Sequence, residues 1–208
     1  LNFKHEWWYF TGHIIDKENN HHGIQVTFFR NKMKTVSENK SIYNDPNLYT
    51  GHVAWSNIKE KTFNHDEIIG RPGFSKLRIS TSNMTIKLKS WHLTQKKNTI
   101  IINIPASFGT IKLKLKPEKN KVFHGKNGKS AKGPDPNQFS YYYSYPKLTG
   151  EAEIKTKENI YKSDQISFWM DREIFNQSVN ETQKGWDWFA IQFKNNTQLM
   201  CFQVRGKT

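Results

Sequence analysis

The sequence predicts an all-β fold, either an antiparallel barrel or a sandwich, and three observations lead to that prediction. Short runs of alternating apolar and polar residues, bounded by turn residues, recur from end to end, and almost no segment keeps the 3.6-residue period of an amphipathic helix. Aromatic residues make up 14% of the chain, which is too many for a disordered protein. At 208 residues the chain is expected to form a single domain with one core.

Twelve segments have the pattern of a strand, and a dozen short antiparallel strands are typical of a barrel or a sandwich. In chain order they are Trp7–Ile14, Gly23–Arg30, Gly51–Ile58, Phe74–Ser80, Met84–Leu93, Thr99–Ile104, Gly109–Lys116, Phe139–Tyr145, Leu148–Lys155, Ile166–Arg172, Trp186–Phe193 and Leu199–Arg205. Asp16–His22 and Asn195–Gln198 are rich in Asn, Gly or charged residues and are predicted as hairpin loops.

Two longer stretches interrupt this series of strands and are predicted as long loops. Asn31–Asn47 is polar and contains an Asp-Pro pair, whereas Pro117–Asn137 contains several glycines and prolines. Loops of this length within a compact domain are usually functional or mobile. The second loop is therefore either a lid over a barrel mouth or a flexible crossing.

The net charge of +14 raises nucleic acid or an anionic membrane surface as partners. Most of the positive charge is lysine, whereas proteins that read bases and phosphates depend on the guanidinium group of arginine, so no nucleic-acid partner is expected. In Ile111–Lys116 the lysines alternate with aliphatic residues, which predicts the solvated outer face of a strand. Contact of such lysines with anionic lipid is the competing interpretation.

Several classes of site have weak or no support. The single cysteine, Cys201, excludes a disulfide framework and a cysteine-based zinc site within this chain. His5 and His13 share a strand face, but no histidine pair has metal-ligand spacing on a helix, so neither a metal nor another cofactor is expected. No apolar run approaches the ~18 residues of a membrane-spanning helix.

The densest aromatic segment is His5–His13. Period two places Glu6, Trp8 and Phe10 on one face of the predicted strand, and His5, Trp7, Tyr9 and His13 on the other. Both faces are large and both need cover, which suits a barrel wall with one face toward the interior and the other under a loop or a second domain. For any single ring, filling of the core is the simpler interpretation.

A second cluster, Phe168–Glu173, places Asp171 on the same strand face as Trp169 and Glu173. If Asp171 faces an apolar cavity, desolvation would raise its pKa and make it a proton donor. The competing interpretation is a structural carboxylate that is paired with Arg30, Arg172 or Arg205, or bonded to loop amides.

Two further segments, Tyr141–Pro146 and Gly185–Phe189, also alternate rings with polar residues. Together they predict the walls of an aromatic cavity. Such walls bind flat or long apolar ligands, and the faces of their rings stabilise a developing carbocation by cation–π attraction.

In this order, the blocks of the sequence resemble the family of AttH and carotenoid hydratases. The matching blocks are Glu6–His13, Gln25–Arg30, Gly51–Ala54, His124-Gly125, Gly128–Gly133, Tyr141–Leu148, Trp169–Glu173 and Gly185–Phe189. The resemblance implies a lipocalin-like, calyx-shaped antiparallel barrel over residues 1–208, the first of two such domains. It also implies a second lipocalin-like domain of the same chain as a partner, and export to the periplasm or the extracellular space.

The best-understood members of this family are hydratases that add water to an isolated double bond of acyclic carotenoids. The resemblance assigns Asp171 the role of proton donor and Trp169 that of the aromatic residue two positions before it. The chain departs from the hydratases where they use a His and a Trp, because an ungapped comparison places Tyr142 and Ser144 at those positions. This departure weakens the expectation of carotenoid hydration itself.

We therefore expect a barrel that binds a small apolar or amphiphilic ligand and that, if it is an enzyme, has lyase or isomerase chemistry. A non-catalytic lipid carrier or envelope protein working with an ABC-type transporter is the alternative. The candidate catalytic residues are Asp171, Trp169 and Tyr142. The candidate ligand-binding residues are Glu6, Trp7, Trp8, Arg30, His52, Tyr141, Ser144, Arg172, Trp186 and Trp188.

Overall fold

A computed structural model describes residues 3–34, 41–80, 83–176 and 183–206. The structure of these ranges is almost entirely β. Its strands are β1 His5–Ile15, β2 His21–Lys32, β3 Asn47–Asn57, β4 Thr62–Gly70, β5 Leu77–Ser80, β6 Thr85–Leu88, β7 Trp91–Lys96, β8 Thr99–Ala106, β9 Gly109–Pro117, β10 Val122–Phe123, β11 Lys129–Ala131, β12 Phe139–Lys155, β13 Ile160–Ser163, β14 Gln165–Phe175, β15 Gln183–Gln192 and β16 Gln198–Gly206. One short 3-10 turn, Ile42–Asn44, precedes β3. In the described ranges, no helix is long and apolar enough to cross a membrane.

The main sheet is antiparallel and runs in the order β4-β3-β2-β1-β14-β12-β9-β8-β7-β6-β5, with β10, β11 and β13 paired to β12. It curls into a nearly closed barrel. The prediction of an all-β antiparallel barrel is thus confirmed.

The interior of the barrel is filled by side chains from the inner faces of its strands. On β1 these are Trp8, Phe10 and Ile14, all of them almost fully buried. Burial of each large apolar side chain contributes roughly 1.5–3 kcal/mol. Across the interior, a Cβ at Gly51 would lie only 2.8 Å from the indole of Trp91, so the packing of β3 against β7 requires a glycine there.

The predictions for four strand segments need correction. The segment Met84–Leu93 is two strands, β6 and β7, which are joined by a tight turn with positive φ at Lys89. The segments Phe139–Tyr145 and Leu148–Lys155 are one strand, because Pro146 lies in an irregularity of register rather than in a loop. Within Phe74–Ser80, only the last four residues are strand.

Outside the two predicted long loops, two strands, β4 and β13, were not predicted. The alternation in β4 is inverted, since Phe63 and Ile69 lie on its exposed face. The strand β13 is short, and its partner is only the C-terminal half of β12.

The two predicted long loops are shorter and more ordered than expected where the structure describes them. Strands β2 and β3 extend into 31–47, of which 35–40 lie outside the described residues. The segment 117–137 contains β10 and β11, and both pair with the N-terminal half of β12. It is therefore neither a lid over a barrel mouth nor a free crossing, but part of the wall.

One end of the barrel is closed by a buried polar network between β1, β2 and β3. Asp16 accepts hydrogen bonds from the backbone N–H groups of Glu18 and Asn20, at 2.9 and 2.8 Å. Its carboxylate also lies 3.1 Å from Nε2 of His22, while Nδ1 of that ring accepts from Nε1 of Trp55 at 3.3 Å. Both nitrogens of the buried His22 ring are thus satisfied.

The C-terminal hairpin, β15–β16, forms a separate two-stranded sheet that lies over the outer face of the barrel wall. The Gln192 amide donates to the carbonyls of Pro146 and Phe168, at 2.8 and 3.1 Å. At the other end of β15, Gln183 donates to the Lys132 carbonyl at 3.0 Å. These bonds hold the hairpin against β12, β14 and the segment before β12.

Candidate functional site in the barrel wall

A cavity of about 710 Å³ lies between the outer face of the wall and the hairpin β15–β16. Strands β1, β2, β12 and β14 form its floor, and the hairpin forms its roof. Nearly half of its lining residues are Phe, Tyr or Trp, namely Trp7, Tyr9, Phe29, Tyr142, Phe175, Trp186, Trp188 and Phe202. The cavity has the size and the largely apolar lining of a small-molecule site.

The strand register determines which residues reach this cavity. Tyr9 lies opposite Asp171, and Trp7 lies opposite Glu173, so all four point to the outer face. On the other side of β14, Tyr142 lies opposite Glu173. The two-face pattern predicted for β1 is therefore confirmed: one set of rings packs in the interior and the other lies under the hairpin.

Asp171 is the more deeply buried of the two carboxyl groups of this site, with 4% of its surface exposed. Its Oδ1 accepts from Nε1 of Trp169 at 2.7 Å and from the Ser144 hydroxyl, and the Tyr142 hydroxyl is a further donor. Burial raises the pKa of Asp171 to about 6, although these three hydrogen bonds lower it and nearby Glu173 raises it further. The carboxyl is thus able to hold and release a proton near neutral pH.

The competing interpretation of Asp171, as a partner of an arginine, does not hold in the structure. Arg30 and Arg172 both bind Glu6, and Arg205 pairs with Asp187 at 3.2 Å. Asp171 instead lines the aromatic cavity, where burial raises its pKa, but this cavity is on the outer face of the wall and not in the interior of the barrel.

Two groups that support Asp171 come from the segment before β12 and from the hairpin. Nε2 of His124 lies 2.7 Å from the Ser144 hydroxyl, and the His124 ring packs against Tyr142 with centroids 4.2 Å apart. From the roof, Nε1 of Trp188 donates to the Tyr142 hydroxyl at 3.3 Å. Burial, together with the charge of Asp171, raises the pKa of Tyr142, so its hydroxyl stays protonated and donates to the carboxyl.

The second carboxyl of the cavity, Glu173, forms an ion pair with a lysine. Nζ of Lys132 lies 2.8 Å from Oε1 of Glu173, and the Ser140 hydroxyl donates to the same oxygen at 2.5 Å. The same ammonium group lies 4.1 Å from the centroid of the Phe202 ring. This corner is the polar end of the cavity, whereas Tyr9 and Trp188 form its apolar end.

A separate charged cluster occupies the inner face of the wall. Glu6 accepts from Nε of Arg30 at 3.2 Å and from Nε of Arg172 at 3.0 Å, and the Arg172 guanidinium lies 5.2 Å from the Trp8 ring centroid. Because β1 lies between this cluster and the cavity, Glu6, Trp8, Arg30 and Arg172 do not line the cavity. Their predicted role in ligand binding therefore receives no support from the geometry of the cavity.

The structure distributes the other candidates around the cavity as follows. Trp7, Tyr142, Asp171, Trp186 and Trp188 line it. Trp169 and Ser144 are buried behind the lining and hydrogen-bond to Asp171. His52 is on the outer face beside Phe29, and Tyr141 is partly exposed next to Phe3, so neither reaches the cavity.

Sequence reasoning missed several residues of the site, among them Tyr9, Glu173, His124 and Lys132. The outer-face position of Tyr9 was readable from its period-two spacing with Trp7. His124 and Lys132 lie in a segment without alternation, and only their membership of the blocks that resemble the family singled them out.

A nearly closed antiparallel barrel, with an aromatic cavity and a buried carboxyl on its outer wall, defines a lipocalin-like fold with a candidate small-molecule site. The particular family is clear from the sequence: the AttH-like family model matches residues 1–208, and the chain belongs to this family.

Two solved structures have a similar fold. An AttH protein from Nitrosomonas europaea superposes with a TM-score of 0.86 at 31% identity, over 99% of this chain and 62% of that one. Kievitone hydratase from Nectria haematococca superposes with a TM-score of 0.69 at 11% identity, over 96% of this chain and 61% of the hydratase. The chain thus spans less than two thirds of the length of either protein. No curated protein sequence matches the chain.

Proposed function

We propose that the protein binds an apolar or amphiphilic, isoprenoid- or lipid-like molecule in the wall cavity and adds water across an isolated carbon–carbon double bond. The observation that carries the proposal is Asp171, a buried carboxyl with a pKa of about 6 among aromatic rings. A carboxylic acid that stays partly protonated near neutral pH is suited to general-acid catalysis.

The proposed reaction begins with proton transfer from Asp171 to the less substituted carbon of the double bond. The π electrons form the new C–H bond, and the positive charge falls on the more substituted carbon. Water then adds to the cation and loses one proton, while Asp171 takes up one proton to begin the next cycle. The net change is the addition of one water molecule, and no oxidant or reductant is consumed.

The cavity contains aromatic faces and a carboxylate that can stabilise such a cation. The rings of Tyr9 and Trp188 lie 5.6 Å apart at the apolar end, and Trp188 also lies 6.3 Å from Trp169. Aromatic faces attract a cation by roughly 0.5–2 kcal/mol each, and more strongly where water is excluded. After its proton has left, the Asp171 carboxylate adds a negative charge close to the cation.

The polar corner of the cavity favours an amphiphilic ligand over a pure hydrocarbon. Lys132 and Glu173 are suited to hydrogen-bond a hydroxyl or carbonyl group of a ligand whose unsaturated part lies against Tyr9 and Trp188. A hydratase with the same fold, kievitone hydratase, is consistent with this chemistry.

Incubation with a panel of acyclic carotenoids and shorter isoprenoid alcohols, followed by mass spectrometry, tests the proposal. We expect a product heavier by one water, and we expect Asp171→Asn to remove turnover while the ligand still binds. Asp187→Asn serves as the matched control, because it makes the same substitution on β15 at a carboxylate that pairs with Arg205 and does not line the cavity. Equal turnover in wild type and Asp171→Asn would refute the role of Asp171.

The alternative function is a non-catalytic lipid carrier or envelope protein of a transport system. The exposed lysines of β9 give this alternative its basis, although Lys112 and Lys114 pair with Glu153 and Glu151 on β12. Salt-sensitive binding to anionic vesicles, with ligand bound but no product formed, would favour the carrier.

A further inference from the structure

We propose that His124 supplies protons to Asp171 through the hydroxyl of Ser144. This inference rests on the proposed function, since it assigns the route by which the acid of that reaction is recharged. His124 acts through other groups and is therefore a positioning and relay residue rather than a catalytic one.

The three groups form a continuous chain across two parts of the wall. His124 is fixed beside β12 by its backbone N–H, which donates to the Tyr142 carbonyl at 3.0 Å. Its Nε2 then reaches the Ser144 hydroxyl at 2.7 Å, and that hydroxyl reaches Oδ1 of Asp171. Ser144 and Asp171 lie directly opposite each other on β12 and β14, so the strand register itself aligns the second step.

The direction of each hydrogen bond follows from the single hydrogen of the serine hydroxyl. Ser144 donates this hydrogen to Asp171, so its oxygen must accept from Nε2–H of His124. The neutral ring therefore carries its hydrogen on Nε2 and leaves Nδ1 free to accept a proton from water. Since His124 is only half-buried whereas Ser144 is fully buried, water reaches the hydrogen-bonded series of His124, Ser144 and Asp171 at the imidazole ring.

Proton transfer along this chain balances without any further reactant. A proton binds at Nδ1, the Nε2 proton passes to the Ser144 oxygen, and the Ser144 proton passes to Oδ1 of Asp171. The ring returns to its Nε2–H form by proton exchange with water. One proton enters and one reaches the carboxylate, which is what the acid requires after each turnover.

The charges around the chain drive the proton toward Asp171. Burial, together with the charge of Lys132, lowers the pKa of His124 to about 4, below the value of about 6 for Asp171. A proton that arrives at the imidazole therefore moves on rather than staying there. The other titratable groups that face these three residues are Tyr142 on β12, Tyr9 on β1 and Glu173 on β14. The hairpin contributes the uncharged side chains of Trp188 and Phe202.

Nitrogen NMR of histidine-labelled protein tests the relay independently of any substrate. We expect the His124 ring to show the Nε2–H form at neutral pH, and its signals to shift with a midpoint of about 6 as Asp171 titrates. This shift should disappear in Asp171→Asn and in Ser144→Ala. An Nδ1–H ring, or a His124 titration that Ser144→Ala leaves unchanged, would overturn the proposal.

Turnover provides the second readout. We expect His124→Gln to lower kcat by about tenfold or more with KM unchanged, and we expect added imidazole to restore the rate. His65→Gln, on the exposed face of β4, is the matched control. A loss of kcat in His124→Gln that imidazole does not restore would count against a relay. If no substrate in the panel is turned over, the proposed function fails, while the NMR experiment still decides the link between His124 and Asp171.

Discussion

Asp16 and Asp171 are both buried carboxyl groups, yet the protein gives them opposite properties. Burial alone raises the pKa of Asp16, but bonds from Asn20, His22 and Glu18 outweigh it and lower the pKa to about 2. At Asp171 the donors are side chains only, and burial dominates, so the pKa rises to about 6. Backbone N–H groups in a turn around a carboxylate stabilise its charge, whereas an aromatic wall next to a second carboxylate favours the proton.

The two histidines nearest these carboxyls differ in the same way. His22 is 1% exposed and has both ring nitrogens bonded, to Asp16 and to Trp55. His124 is half-buried and has one bonded nitrogen directed at the Asp171 site. The first histidine closes one end of the barrel, and the second connects the site to its surroundings.

The largest effect on stability is therefore expected at the closed end. His22→Ala should lower the free energy of unfolding by about 3 kcal/mol, because it leaves a cavity and removes one hydrogen-bond partner from each of Asp16 and Trp55. His124→Ala, the matched control, should cost less than about 1 kcal/mol, since its ring is partly solvated. Urea unfolding of the three proteins measures the difference, and equal losses in the two variants would contradict the contrast.

The next effect is a pH dependence of opposite sign at the two carboxyls. A raised pKa means that folding favours protonated Asp171, so its contribution to stability is present below pH 3.8 and is lost as the pH rises through about 6. Asp171→Asn should therefore stabilise the protein by about 1–3 kcal/mol above that range, and by little below pH 3.8.

Asp16→Asn should do the reverse. The lowered pKa of Asp16 contributes about 1–2 kcal/mol above pH 3.8, which is lost as the pH falls through about 2. The variant should be destabilised at neutral pH and resemble the wild type in strong acid. Thermal melts of both variants and the wild type across this pH range measure how each stability difference changes with pH. If the two differences change in the same direction with pH, the comparison between Asp16 and Asp171 is refuted.

The smallest effect concerns the neighbour of Asp171. Glu173→Gln removes a negative charge and frees the ammonium group of Lys132, and both changes favour the ionised form of Asp171. The pKa of Asp171 should fall in this variant, as measured by carbon NMR. The control variant Glu67→Gln, on the exposed face of β4, should leave the pKa of Asp171 unchanged. If Glu173→Gln leaves the pKa of Asp171 unchanged or raises it, Glu173 does not act on Asp171 as described.

Much of the fold could be predicted because strand alternation is a local signal. The two faces of β1 and the position of Asp171 beside Trp169 followed from period two alone. The strand β4 was missed because Phe63 and Ile69 are exposed, which inverts the usual pattern.

The site could be predicted only in part, because its assembly depends on contacts that are distant in sequence. The sequence pointed to Arg30 as a partner for Asp171, yet the register places Arg30 opposite Glu6 on the inner face. Nothing in the local pattern shows that β15 and β16 cover the outer face, or that His124 reaches Ser144. These contacts require the order of the strands in the sheet.

The most direct test of the account is the titration of Asp171 by carbon NMR of aspartate-labelled protein, with the Asp16 signal in the same spectrum as the internal comparison. The structure predicts a midpoint of about 6 for Asp171 and of about 2 for Asp16. An Asp171 that titrates below pH 3.8, like an ordinary or ion-paired carboxyl, would contradict its assignment as the proton donor of the wall cavity.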